Sequence, residues 1–188
     1  SESGLYKFRT VKGNSDISVG DVTSAEILWE SFGTSIAPGP CDLISEICYK
    51  NGFIVLRTND IYKEGNAVVA AVNANGEILW SWHLWLSDEP REQIYKNSAG
   101  IMLDRNLGAT SSSAGNAESF GLLYQWGRKD PFLSSSSINY ITNKSVAQST
   151  IVWPEYVYSS ATTGTKNYAI SNPTTFIKSN HSMSKYDD

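Results

Sequence analysis

Asn66-Ala67-Val68-Val69-Ala70-Ala71-Val72, then Asn73-Ala74-Asn75-Gly76, then Glu77-Ile78-Leu79-Trp80-Ser81-Trp82-His83-Leu84-Trp85-Leu86 reads as a β-hairpin. An apolar run of strand length meets a turn rich in Asn and Gly, and a second run of aromatic and branched residues follows. Side chains alternate along a strand, so Ile78, Trp80, Trp82, Leu84 and Leu86 share one face and Leu79, Ser81, His83 and Trp85 the other. Both faces carry a Trp or a large apolar group. The second arm therefore reads as a central strand covered on both sides, with Trp80 and Trp82 in the core.

On the N-terminal side, Ala25-Glu26-Ile27-Leu28-Trp29 is a short apolar run that stops at the Gly/Pro-rich stretch 33–40. Phe53-Ile54-Val55-Leu56-Arg57-Thr58 follows the turn dipeptide Asn51-Gly52 and is a second strand. On the C-terminal side, Ser87-Asp88-Glu89-Pro90-Arg91-Glu92-Gln93 is charged and holds a proline, which marks a surface connection. Beyond it lie Ile101-Met102-Leu103, the polar set Asp104-Arg105-Asn106, a small-residue loop and Phe120-Gly121-Leu122-Leu123-Tyr124-Gln125-Trp126-Gly127, where Trp126 is expected to pack against residues 104–107. A short helical turn near 117–124 is the one helical signal. The fold class is therefore mainly β, with a sandwich-like domain over residues 1–88 and an irregular second domain over 89–188.

Hydrophobic residues make up 40% and charged residues 18% of the chain, which excludes disorder as its main state. The formal net charge is −4, and the longest basic run is Arg128-Lys129. Nucleic acid is not an expected partner, because phosphate contacts need a concentrated basic face. The longest apolar run, Ala67 to Val72, falls far short of the roughly 20 residues that cross a bilayer, so a membrane-spanning segment is not expected. The chain opens on Ser1-Glu2-Ser3 without a basic-then-apolar leader, so any targeting segment is expected to have been removed. From Pro131 onward Ser, Thr, Asn and Tyr dominate and charges thin out, a composition more common outside cells. Cys41 and Cys48 have no second cysteine pair and no nearby His, so a structural zinc site lacks ligands. They read either as a local disulfide, if the segment bends back, or as two small buried thiols; along one straight strand they would be too far apart to bond.

Two strings, Ile101-Met102-Leu103-Asp104-Arg105-Asn106-Leu107-Gly108-Ala109 and Gly121-Leu122-Leu123-Tyr124-Gln125-Trp126-Gly127-Arg128-Lys129-Asp130-Pro131-Phe132, resemble the core of the FISUMP domain, the Fibrobacter succinogenes major paralogous domain. Ile78 to His83 is similar to the β-rich segment that precedes it in Bacteroidetes surface proteins, and the matching stretches span roughly Ala25 to Phe132. The resemblance implies a C-type-lectin-like α+β layout for the second domain, and a setting among surface lipoproteins and fimbria-associated proteins, with a lipid anchor on the parent chain. Members continue to a "CPxGWRVP" segment, which is not found before Tyr186-Asp187-Asp188, so the expectation is a truncated domain or a remainder outside this sequence.

Catalysis has little support. His83 and His181 are the two histidines, and no His-Glu-x-x-His, Gly-x-Ser-x-Gly, phosphate loop or dinucleotide fingerprint occurs. His83, between two tryptophans, reads as a packed core histidine. Asp88-Glu89 and Asp187-Asp188 are the adjacent acid pairs, and the oxygen-ligand strings of calcium-dependent lectins are missing, so neither a metal nor a cofactor is expected. Asp104-Arg105-Asn106 and Arg128-Lys129-Asp130 suit either directed hydrogen bonds to a sugar or internal pairing that satisfies backbone carbonyls; the flanking Gly and apolar residues favour pairing.

Flat aromatic faces stack on sugar rings. Among the six tryptophans, Trp29, Trp80 and Trp82 lie in strand patterns and are expected in the core. Trp85 and Trp153, with Tyr156 and Tyr158, are the expected exposed platform, with Arg128 and Asp130 as further ligand-binding candidates. The expectation is a non-enzymatic extracellular or outer-surface protein of adhesion or glycan binding, including fimbrial accessory or tip roles, whose sugar contacts are aromatic and neutral. Binding would then survive a chelator and depend little on salt. The rival reading is a structural module pairing with other surface subunits, and a hydrolase ranks third.

Overall fold

The computed structural model describes residues 2–133, 138–139, 144–145, 147–149 and 156–179, with the backbone alone at 138–139 and 144–145. The strands are β1 (Leu5–Arg9), β2 (Ser24–Ser31), β3 (Ile44–Lys50), β4 (Phe53–Thr58), β5 (Gly65–Val72), β6 (Ile78–Leu86), β7 (Glu92–Ile94), β8 (Ile101–Leu103), β9 (Leu123–Tyr124), β10 (Pro131–Phe132), β11 (Ile138–Asn139), β12 (Lys144–Ser145), β13 (Gln148–Ser149), β14 (Val157–Tyr158) and β15 (Ile177–Lys178). One α-helix, α1 (Lys166–Ser171), and a 3-10 turn at Ala117–Ser119 complete the described elements. Strands take 38% of the described residues and no sheet among them closes, so the mainly β class holds.

A three-stranded antiparallel sheet runs β1-β4-β3, and a four-stranded one runs β13-β2-β5-β6. They face one another across two groups of apolar side chains. Leu43, Ile44 and Leu56 meet Ala67, Val69 and Leu86, while Val19, Val22 and Ile54 meet Ala71. The opposite face of β5 supplies Val68, Ala70 and Val72 to a further layer with Leu28 and Trp29, and Leu122 and Leu133 of the later chain complete it. Every residue of β5 is buried. Its alternating Ala and Val side chains are small enough for chain to approach closely from both sides.

The central strand of the hairpin is thus β5, and β6 lies at the sheet edge with Trp80 and Trp82 only partly buried. This corrects the expectation of a central second arm: among the described residues β5 has partners on both sides, β2 and β6, whereas β6 pairs with β5 alone. A bulge also changes the face assignment. Ala71 pairs with Trp80 and Val72 with Ile78, so Leu79 is the extra residue. Ile78 consequently packs with the Leu28 and Trp29 layer, away from Trp80 and Trp82. Trp82 meets Phe8 of the facing sheet edge-on, ring centres 5.2 Å apart.

Neither reading of the cysteines survives. Cys41 and Cys48 are free and both exposed. Cys48 lies within β3, opposite Val55, while Cys41 precedes that strand in a left-handed conformation, φ +64°. The extended run from Ile44 carries the two apart instead of folding them together.

Trp126 is the largest departure. It does not pack on residues 104–107 and is 99% exposed. That segment closes on Gly121 and Leu122 instead: Leu122 N–H donates to Leu107 O at 2.9 Å, and Ala109 N–H to Asn106 O at 3.0 Å. Gly121 has φ +71°, and a Cβ there would lie 2.6 Å from Leu107 O. Gly121→Ala is therefore expected to lower stability by about 2 kcal/mol. Gly76→Ala is the control, because Gly76 has φ +79° but nothing within 4 Å of an added Cβ; its cost should be about 1 kcal/mol. Urea unfolding of both checks this, and equal losses would refute the contact with Leu107.

Candidate ligand-binding groove

Residues 125–128 form a tight turn closed by Arg128 N–H donating to Gln125 O at 3.0 Å. Gly127, at φ +77°, takes the second corner, a conformation glycine adopts readily. Trp126 takes the first. Gln125 is held from the other side, since its side chain donates to Ile177 O and accepts from Ile177 N–H. With Gln125 tied to β15, the turn carries the indole out to solvent.

Beside the turn lies a groove of about 670 Å3, within the range of small-ligand sites. The turn forms one wall, and Ser159, Thr165, Ile177 and Ser179 contribute to the rest, so hydroxyls sit beside apolar surface. The first residue of α1, Lys166, and the last of β15, Lys178, line it too. Thr165 starts α1 by accepting a hydrogen bond from Tyr168 N–H at 3.1 Å. A smaller recess of about 160 Å3 adjoins it, shares Gly127, Arg128, Lys166 and Ala169 with it, and reaches Trp80.

Arg128 builds this wall. Its guanidinium donates to the carbonyls of Thr175, Asn172 (2.8 Å), Pro173 (3.2 Å) and Ala169 (3.3 Å), tying the turn to the end of α1 and the chain after it. It also stacks over Phe132 at 5.2 Å. Burial lowers its pKa, an effect Asp130 opposes. Asp130 is buried, accepting from Ser81 Oγ at 2.7 Å and pairing with Lys129 Nζ at 2.8 Å. Lys129 Nζ also lies 4.7 Å from the Trp80 ring centre, over its face. These side chains fasten the later segment to β6.

Tyr156 and Tyr158 are exposed and meet edge-on, ring centres 5.4 Å apart. Lys178 Nζ lies 3.2 Å from the centre of the Tyr156 ring. The strand β14 that bears Tyr158 runs parallel to β15, with Tyr158 opposite Lys178. Of the expected platform, Tyr156 and Tyr158 thus stand next to a groove-lining lysine. Trp85 does not line the groove: it is half-buried, and its indole N–H donates to Ala109 O at 3.1 Å. Trp153 and His181 lie outside the described residues. The residue missed by sequence reading is Trp126; its signal was the Gly127 beside it, which permits a turn at that point.

Asp104, Arg105 and Asn106 are engaged internally. Arg105 is nearly buried between Asp104 (2.9 Å) and Asp88 (2.7 Å), and Asn106 donates to the carbonyls of Ser119 (3.2 Å) and Phe120 (3.4 Å). His83 belongs to a polar bridge. Asn66 donates to Gly108 O at 2.8 Å, which directs its Oδ1 toward His83 Nε2 at 2.9 Å. The Nε2 then carries the proton, leaving Nδ1 to accept from the Tyr124 hydroxyl at 3.3 Å. Burial lowers the His83 pKa to about 4, so it is neutral at physiological pH.

Among the described residues no cluster of His, Cys, Asp and Glu could hold a metal ion, and no helix is long and apolar enough to cross a membrane. Compared with protein-family models, with curated proteins and with solved structures, the chain finds no match in any of the three.

Proposed function

We propose that the protein is a non-enzymatic carbohydrate-binding protein of an outer cell surface, acting in adhesion, with Trp126 as its stacking platform. One observation carries the reading: an indole that is 99% exposed stands at the lip of a hydroxyl-lined groove. Leaving so large an apolar ring in water is unfavourable unless a ligand uses it. The FISUMP resemblance, with the C-type-lectin-like layout and fimbria-associated setting it implies, is part of the same proposal. Stacking on one ring contributes about 1 kcal/mol, so a single site would bind at millimolar strength and act through many copies on one surface.

Intrinsic fluorescence titrated with a panel of oligosaccharides tests it. Trp126→Ala is expected to weaken binding by about fivefold, while the thermal midpoint shifts by less than about 2 °C because the ring supports no core contact. An unchanged affinity in Trp126→Ala would remove the platform from the account.

A second reading, assembly with other surface subunits, is favoured by a separate observation. The two-stranded β7-β8 ribbon exposes Ile94, Ile101, Met102 and Leu103, and such a ribbon is marginally stable alone. If it mediates assembly, light scattering should show concentration-dependent association that Met102→Lys abolishes; a concentration-independent monomer would count against it.

A further inference from the structure

We propose that the groove beside Trp126 prefers saccharides bearing a carboxylate, a proposal that rests on the carbohydrate reading above and names its ligand class. The chain as a whole is acidic, with 19 Asp and Glu against 15 Lys and Arg. The groove reverses that balance: among the described residues no acid lines it, whereas Arg128, Lys166 and Lys178 do.

The three cations differ in what they can offer. The Arg128 guanidinium is committed to four backbone carbonyls. Lys166 and Lys178 are exposed, and among the described residues neither has an ion-pair partner. Lys178 is held over Tyr156 by the attraction of a cation to an aromatic face, which limits its rotamers in the absence of ligand. The two ammonium groups come from different elements, α1 and β15, and line one groove with Trp126. A sugar ring stacked on the indole would carry a substituent carboxylate into the reach of point charges, the arrangement that distinguishes an acidic from a neutral ring. The proposed acid preference departs from the expectation of a neutral site with little salt dependence, because α1 and β15 bring Lys166 and Lys178 to the same groove.

The test compares a galacturonate oligomer with its fully methyl-esterified form, which keeps the ring and removes the charge. Binding to the intact protein is read by calorimetry at about 0.02 M and about 0.5 M salt, conditions that span weak and strong screening. The acid should bind about tenfold more tightly than the ester at low salt, and that preference should largely disappear at high salt and in the Lys166→Gln/Lys178→Gln variant. Equal affinity of acid and ester for the wild type overturns the acid preference while leaving the carbohydrate reading standing. A preference that survives in the double variant overturns the role of the lysines. Binding of neither oligomer overturns the acid preference, and the carbohydrate reading falls with it only if the wider oligosaccharide panel is also negative.

Discussion

Asp130→Ala is expected to lower stability by about 3 kcal/mol. The carboxylate is 2% exposed, accepts from Ser81 of β6 and pairs with Lys129. Its removal leaves the Lys129 ammonium largely buried with no counter-charge, and burial already depresses the Lys129 pKa. The loss thus combines a missing hydrogen bond with an uncompensated charge. The double variant Lys129→Met/Asp130→Ala removes both charges and should recover at least half of the loss, because an apolar replacement of a buried pair is close to neutral. Urea unfolding of the three proteins decides it. A single-variant loss below about 1 kcal/mol, or no recovery in the double variant, would show that the pair does not anchor the later segment to β6.

Glu30→Gln is expected to change both the size of the stability and its pH dependence. Glu30 is 2% exposed in β2, and burial raises its pKa to about 7, with the nearby Asp42 charge adding to the rise and the Ile44 N–H, 2.8 Å from Oε1, opposing it. A carboxyl whose pKa rises from 4.5 to about 7 on folding holds its proton more tightly in the folded chain. Its stabilising contribution is full below pH 4.5 and is lost as pH rises through 7, a difference of about 3 kcal/mol. His83 has the opposite sign. Its pKa falls from 6.5 to about 4 on folding, so its contribution is present above pH 6.5 and lost as pH falls toward 4.

Between pH 8 and pH 5 the two effects, each about 2 kcal/mol, largely cancel, and the wild-type stability should be flat within about 1 kcal/mol. In Glu30→Gln the His83 effect stands alone. The variant should be about 3 kcal/mol more stable than wild type at pH 8 and lose about 2 kcal/mol by pH 5. Denaturant midpoints measured across that range check it; a variant as flat as the wild type would mean that His83 is not held neutral by burial.

The hairpin, β2 and β4 were legible because strand periodicity and the turn residues Asn51-Gly52 and Asn73 to Gly76 are local signals. Which arm lies at the centre was not. Trp-rich β6 looks more core-like than Ala-rich β5, yet pairing on both sides puts β5 inside, and its small side chains are a consequence of that crowding. The bulge at Leu79 is likewise set by pairing with β5 and shifts Ile78 to the other face. The helix α1 escaped notice because six residues are too few to show a period; Thr165 before it and Pro173 after it were the available signals.

The site was legible in part. Tyr156 and Tyr158 stood out as aromatics in a polar stretch. Trp126 was hidden in an apolar-looking string, where burial is the ordinary outcome, and its exposure follows from the turn geometry and from the hold of Gln125 on Ile177. Arg128 and Asp130 are legible as polar groups suited to directed bonds, and the bonds they make go to the chain itself. The two groove lysines line one groove through the placement of α1 and β15 beside the turn.

The most direct test of the account is an indole NMR titration with 15N-labelled tryptophan, in which each of the six tryptophans gives one N–H signal and Trp126→Phe assigns the one that matters. On addition of the galacturonate oligomer, the Trp126 signal should move saturably while that of buried Trp29 stays fixed. A titration in which the Trp126 signal does not move, or in which only the Trp85 signal does, with this oligomer and with every member of the wider oligosaccharide panel, would contradict the placement of a carbohydrate site in this groove.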